Sequence, residues 1–351
     1  MEFGVFHEFP SLDDRPDSEA FAEALDIVDG AERWGLDVMW LAELHFDPSR
    51  SILSSPMCVA SAIAARTRRM KIGIAVQVLP LCNPLRIAEE AATVDQLSQG
   101  RLVFGVGRSG VAKTYEAYNV PYAESKDRFT EALEIIERAW AERTLSHEGR
   151  YWRFEDVTVT PRPFQTGGPP IRVAATSADT FVTIGRQGKP IFLAIRHEDA
   201  RMFAAAIETY RKAWRDAGHP GEGEVYLRAP GYLAATADAA KAEYEASLMH
   251  YYRAQGALLA DSARRAGVDG AAKRAATSER LMSITYEEAL RGSVLVGTPE
   301  MVTDQLIGLR RDLGLSGILV ELNCGGKVHH PHEMEALRLL CEEVRPALQA
   351  G

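Results

Sequence analysis

The sequence predicts an α/β barrel of the (β/α)8 TIM-barrel class with insertions, and three observations carry that prediction. Short apolar runs alternate with longer amphipathic stretches almost from end to end of the 351 residues, the pattern of βα units around a parallel sheet. Eight such runs can be placed, the number a closed barrel needs. No Gly-x-Gly-x-x-Gly follows the first run, so an open doubly wound sheet lacks its signature.

The elements follow in order. The first strand is Phe3 to His7, and a helix over about Ser18 to Trp34 stops at Gly35, where a free φ suits the residue after a last turn. Strand two is Asp37 to Ala42. A helix near Pro56 to Arg66 leads to strand three, Met70 to Val78. Pro84 stands where a first helical turn tolerates proline, and Leu85 to Leu97 carries apolar residues at helical spacing. Strand four is Arg101 to Val106, with the helix Ser125 to Ala141 after it. Residues 144–161 mix aromatic and β-branched side chains around a glycine turn, and read as a hairpin-like excursion outside the barrel. Strands five and six are Ile171 to Ala175 and Pro190 to Ile195, the latter followed by a helix over Asp199 to Asp216. Strand seven, Tyr226 to Ala234, is interrupted by Pro230 and Gly231. After a helical stretch from Ala237 to Tyr252 the rhythm breaks over residues 255–291, rich in Ala, Gly, Arg and Ser. An insertion of that kind is read as a lid or as partly disordered chain. Thr298 and Pro299 cap and open the next helix. Ser316 to Glu321 is strand eight, His332 to Leu348 is the closing helix, and residues 1–351 form one domain.

Composition narrows the function. The formal net charge is −9, from 40 basic and 49 acidic residues, which disfavours a nucleic-acid partner that would want a dense basic face. Arg264, Arg265, Lys273 and Arg274 are interrupted by acids and alanines, and read as a solvated helical face. No stretch approaches the ~20 apolar residues needed to span a bilayer. The first residues carry acids where a signal peptide would carry lysines, so the expected location is the cytoplasm. Cys58, Cys82, Cys324 and Cys341 lie far apart with no Cys-x-x-Cys spacing, which fits reduced thiols.

Barrel chemistry gathers at the C-terminal strand ends. Those ends hold His7 and Glu8, Glu43 and His45, Gln77, Gly107 with Arg108 and Ser109, Thr176 and Ser177, Arg196 and His197, and Glu321 with Asn323. Three clusters stand out. Arg108 follows two glycines that let backbone N–H groups approach a ligand, and Thr176, Ser177 and Thr180 sit at a helix start. Together they suit a terminal phosphate. The plainer alternative is a capping Ser177 and a surface ion pair at Arg108. Glu43 and His45 place a carboxylate and an imidazole at one strand end, able to handle a proton or simply to bond one another. His329, His330 and His332 invite a metal, but their spacing does not put all three on one helical face and Pro331 fixes a turn. A helix entry reads better than a ligand set. Neither a Gly-x-Ser-x-Gly elbow nor a His-Glu-x-x-His pair is present, so hydrolase machinery is not visible.

At these residues the chain resembles the bacterial luciferase-like flavin-dependent monooxygenases, from Met1 to about Leu348. The resemblance rests on the opening MEFGVF and on the run from Trp34 to Phe46. It rests also on the block from Lys71 to Gly110 with its Asn-Pro-x-Arg and Asp-x-Leu-Ser-x-Gly-Arg spacing, on Ala174 to Thr180, on Gly297 to Glu300, and on the final GILVELN. It implies a TIM barrel with a mobile lid between units seven and eight. The expected cofactor is FMN as FMNH2, with its phosphate at Arg108, Ser177 and Thr180 and with Thr176, Ser109, Ala75 and Gln77 beside it. Ala75–Val76 matches a non-prolyl cis peptide under the flavin ring, and the expected catalytic pair is Glu43 and His45.

The implied activity is monooxygenation of a small organic substrate with O2, through a flavin C4a-peroxide shielded by Phe6, Trp40 and Val78. A separate NAD(P)H-dependent flavin reductase would supply the reduced flavin, and the implied assembly is a homodimer, with the helix over 84–98 as an interface or as core packing. Two other activities stay open: a deazaflavin-dependent dehydrogenase or reductase, and a non-catalytic flavin-binding relative. The chain departs from the family's Glu-His-His-Phe motif, because Leu44 replaces its first histidine. Gly107 stands for luciferase's cysteine, and Ile195 for a tryptophan.

Overall fold

The apolar runs resolve into eight parallel strands that close on themselves. The computed structural model describes residues 1–11, 15–175, 178–195, 198–265 and 270–350. The barrel strands are β1 (Glu2–His7), β2 (Val38–Leu41), β3 (Lys71–Val78), β4 (Leu102–Gly107), β5 (Ile171–Ala174), β6 (Ile191–Ala194), β7 (Val225–Leu233) and β8 (Gly317–Glu321). Each pairs in parallel with the next, and β8 pairs back onto β1, which leaves no open barrel edge.

Helices cover the outside: α1 (Asp17–Trp34), α2 (Pro56–Arg66), α3 (Pro84–Ser98), α4 (Ala112–Ala117), α5 (Ser125–Ala141), α6 (Ala178–Arg186) and α7 (Ala204–Asp216). The series continues with α8 (Ala237–Arg264), α9 (Ala271–Ser283), α10 (Tyr286–Leu290), α11 (Pro299–Leu313) and α12 (His330–Leu339). Local chemistry sets several of these boundaries. Gly35 adopts φ +87° and donates its N–H back to Ala31 at the end of α1. The Asn83 side chain accepts from Leu85 and Arg86 N–H just before Pro84, and Thr298 caps α11 by accepting from Met301 N–H. The apolar positions of α3 are buried within the chain, and among its large apolar side chains Leu97 stays exposed.

Three segments differ from the expectation or extend it. Proline does not interrupt β7. Its pairing passes at that point from β8, which ends at Glu321 opposite Pro230, to a short strand Leu295–Gly297 that begins opposite Gly231. Pro230 therefore sits at a handover between partners, where a missing donor disturbs the ladder least. The helix expected to end near Tyr252 runs on unbroken to Arg264 as α8, and α9 packs back along it. Leu145–Glu148 and Arg153–Val157 pair antiparallel outside the barrel.

The barrel interior is filled in tiers. At the base, Arg172 bonds Glu2 at 2.7 Å and stacks over the Tyr226 ring at 3.6 Å. Above it Trp40, Phe192 and Tyr226 pack with Phe6, Val38, Val103 and Leu319. Trp40 can lie across the barrel because its neighbours Gly4 and Gly73 lack side chains: a Cβ on Gly73 would sit 2.0 Å from the indole. A second apolar core lies between the strands and the helices, and among the described residues no helix is long and apolar enough to cross a membrane.

Candidate active site at the barrel mouth

In a strand, every second side chain faces the same way, so the inward residues below the mouth dictate which residues reach it. Two halves result. Beyond Phe6, Tyr226 and Leu319 the next inward positions are Glu8, Arg228 and Glu321, whereas beyond Val103, Arg172 and Phe192 they are Gly105, Ala174 and Ala194.

The small-residue half is open. Ala75, Val76 and Ala174 are half-buried and Ala194 is exposed, although Ile74, Val173 and Leu193 beside them are sealed. The Ala75–Val76 peptide bond is cis, and the β3–β4 register shifts between Ile74 and Gln77. Val76 stands over Gly107, where an added Cβ would lie 2.4 Å from Val76 Cγ2. A cysteine cannot occupy position 107 here unless Val76 moves.

Arg108 lies on the rim of this half. Its Nη1 donates to Ser125 Oγ at 3.3 Å, and among the described residues it forms no ion pair. Tyr115 OH donates to the Arg108 carbonyl and holds the loop in place. Ser109 adopts φ +57° and accepts Val111 N–H on its Oγ at 3.2 Å. Thr180 is half-buried in the first turn of α6. Thr176, Ser177, Arg196 and His197 lie outside the described residues.

Glu43 and His45 meet. Glu43 Oε1 lies 2.8 Å from His45 Nε2, and Oε2 accepts from Gln77 Nε2 at 2.6 Å and from Val78 N–H at 2.8 Å. The carboxylate therefore pins the β3 irregularity as well as the imidazole. On the far side His45 Nδ1 lies 3.2 Å from Tyr118 OH. That ring is exposed, and it meets the imidazole edge-on at 5.2 Å. Burial pushes the nearby Cys82 thiol up to about 12, with Glu43 adding to the shift. No sequence pattern pointed to Tyr118, which arrives from 73 residues away. Trp40, expected to line the oxidation pocket, is sealed in the tier below, and the Val78 backbone serves Glu43.

The charged half is a connected network. Arg228 donates through Nε to Glu321 Oε2 at 3.1 Å, again to that carboxylate through Nη2, and to Glu8 Oε1 at 3.4 Å. Arg50, from the loop after β2, donates to the same Glu8 oxygen. Both guanidiniums face the Tyr251 ring of α8, at 5.4 Å for Arg50 and 5.9 Å for Arg228. Burial raises the Glu321 carboxyl to about 7 against the pull of Arg228. Glu8 and Glu321 were legible as strand ends. Arg228 and Arg50 were missed, although the step from inward Tyr226 to Arg228 was the available signal. His7 and Asn323 turn instead to Glu333, at 3.3 Å and 2.8 Å.

The helix α8 bridges the two halves. Ser247 in its first half bonds Asn323 and Lys327 beyond β8, and Ser262 near its end bonds Gly110 and Ala112 beyond β4. Arg274 of α9 adds a bond to the Gly110 carbonyl at 2.9 Å. Among the described residues no three metal-ligating side chains converge. His330 and His332 face Asp26 and Glu243, at 3.6 Å and 3.7 Å.

This geometry fits a flat ring with an anionic tail. The floor is accessible, lined by small side chains, and bordered by an arginine that no carboxylate among the described residues pairs with.

Known proteins are similar to this chain over much of its length. The profile of a family described as luciferase-like monooxygenase matches residues 1–317. The alkanal monooxygenase alpha chain of the Kryptophanaron alfredi symbiont is 29% identical over 55% of this chain and 54% of its own length. The oxygenase component of a flavin-dependent trigonelline monooxygenase from Acinetobacter baylyi is 30% identical over 50% and 49%. An F420-dependent glucose-6-phosphate dehydrogenase from Kineococcus radiotolerans is 31% identical over 50% and 56%. The chain thus spans about half the length of the curated relatives it matches. A solved monooxygenase from Streptomyces bottropensis superposes with a TM-score of 0.82 at 26% identity, covering 99% of both chains.

Proposed function

The chain belongs to the luciferase-like monooxygenase family, and from that premise we propose that it oxidises a small organic substrate with O2 and reduced FMN. The observation that carries the reading is the open floor of Ala75, Val76, Ala174 and Ala194 beside Arg108, which forms no ion pair among the described residues. When bound, reduced FMN supplies two electrons to O2, so one oxygen atom enters the substrate and the other leaves as water.

The protein's residues do the binding and positioning. Arg108 takes the phosphate with Ser109, Thr176, Ser177 and Thr180. Ala75 and Gln77 form the floor and its support, with Glu43 holding the β3 irregularity through Val78 N–H. Glu43 also orients His45, and the exposed Tyr118 gives that imidazole a route to the rim for a proton. Because Leu44 cannot carry a proton, His45 does so alone. The helix α8 covers the mouth and limits water. A separate reductase fits the absence of a nicotinamide fingerprint in the sequence, and the Acinetobacter relative is itself named as an oxygenase component.

A second reading, hydride transfer with a deazaflavin, draws on the F420-dependent relative. Anaerobic titration with reduced FMN and with reduced F420, followed by tryptophan fluorescence, separates the two. The expected result is tight FMN binding, followed by a changed rate of flavin reoxidation once O2 is mixed in. Reoxidation at the rate of free flavin sinks the monooxygenase reading, and preference for F420 replaces it with the second. His45→Ala should keep FMN and lose turnover; an unchanged rate would remove His45 from catalysis, and FMN binding with no turnover in either protein would point to a non-catalytic flavin binder.

A further inference from the structure

Arg228 occupies the seam between the two halves of the mouth. Its register neighbours are Ala194 in β6, which is exposed, and Leu319 in β8, which is buried. The guanidinium lies 4.0 Å over the Phe6 ring, so its plane is fixed from below. Nε and Nη2 serve Glu321 and Glu8. Nη1 donates to nothing among the described residues. Arg228 is also the most open member of the network, its side chain 17% exposed against 2% for Glu321 and 9% for Glu8.

The network is not complete in itself. Glu321 Oε1 and Arg50 Nε are buried without a hydrogen-bond partner. Buried ion pairs contribute little net stability compared with apolar side chains of similar volume, so a network with spare donors and acceptors calls for a role in binding. With Glu321 ionised, at mildly alkaline pH, its charges cancel, two arginines against two glutamates. A further anion would leave a net buried charge, which is costly, whereas a neutral acceptor needs only the free donor on Nη1.

We propose that Arg228 is a substrate-binding residue, and that the seam takes a neutral carbonyl compound whose oxygen accepts from Nη1 while its apolar body lies along Ala194. This rests on the reading above, that chemistry takes place over the small-residue floor.

The test is equilibrium binding of α-tetralone, tetralin and the carboxylate of the same skeleton to the full chain, with and without oxidised FMN, at mildly alkaline pH. The expected result is a preference of about tenfold for the ketone over the hydrocarbon, as a hydrogen bond to a charged donor contributes, with the carboxylate weaker than the ketone. Arg228→Lys keeps a cation beside Glu321 but removes the spare arm, and should abolish the preference while FMN affinity holds. Replacing both members of the pair, Arg228→Met with Glu321→Met, should do the same without leaving a lone buried charge. Equal binding of ketone and hydrocarbon, a preference for the carboxylate, or a ketone preference that survives Arg228→Lys overturns the proposal. A ketone preference without any FMN binding would instead count against the flavin reading.

Discussion

The two halves of the barrel mouth follow one strand alternation and end in opposite chemistry. On the β3–β6 side the inward positions finish in Ala75, Gly107, Ala174 and Ala194, leaving an accessible floor. On the β7–β8–β1 side they finish in Arg228, Glu321 and Glu8, knitted together and covered by Tyr251. The difference teaches how one barrel divides labour. On the proposed function, small side chains make room for a cofactor that brings its own chemistry, and fixed charges shape the wall that a second molecule would meet.

Unpairing the charged half should have the largest effect. Arg228→Met leaves the carboxylates of Glu321 and Glu8 short of a cation, and should cost about 3–5 kcal/mol in urea unfolding. Adding Glu321→Met should recover most of that loss. If the double variant is as unstable as the single one, the network is not the coupled unit described.

The rim of the open half comes next. Arg108→Ala should weaken FMN binding by about 1.5–3 kcal/mol, the range for a hydrogen bond to a charged group, and leave riboflavin, which lacks the phosphate, unchanged. Equal losses for both ligands would move the phosphate elsewhere. Within the floor, Gly107→Val places a Cβ 2.4 Å from Val76 Cγ2 and should cost about 1–3 kcal/mol of stability by overpacking. Val76→Ala in the same chain should relieve it, and calorimetry of the two variants checks the pairing.

The smallest expected effect is the pH response of the charged half. Burial lifts the folded Glu321 carboxyl from its ordinary 4.5 to about 7, so the folded protein holds a proton that the unfolded chain releases. That contribution is complete below the ordinary value and fades as pH rises towards about 7. Stability of the native protein should therefore fall by roughly 1 kcal/mol more than that of Glu321→Gln over the last pH unit, from about 6 to about 7. Parallel pH curves would show that the carboxyl is not held protonated by its surroundings.

Much of this architecture was legible in the chain. Alternating runs placed all eight barrel strands, Gly35, Asn83 and Thr298 marked helix boundaries, and the strand-end rule picked out Glu8, Glu43, His45, Gln77, Arg108 and Glu321. Each depends on residues near in sequence. Pro230 misled, because a proline looks like an interruption until the neighbouring strands show that pairing changes hands there. The stretch after Tyr252 misled as well, since its small residues gave a weak helical pattern that packing against α9 completes.

What the sequence determined by itself was the barrel, the direction each strand residue faces, and so the short roster of side chains that can reach the mouth. Only the tertiary structure decided which of them meet. Glu8 and Arg228 are 220 positions apart, and Tyr118 lies 73 from His45. No local pattern encodes such pairs, because barrel closure and the packing of α8 bring them together, and burial then sets the strength of their charges.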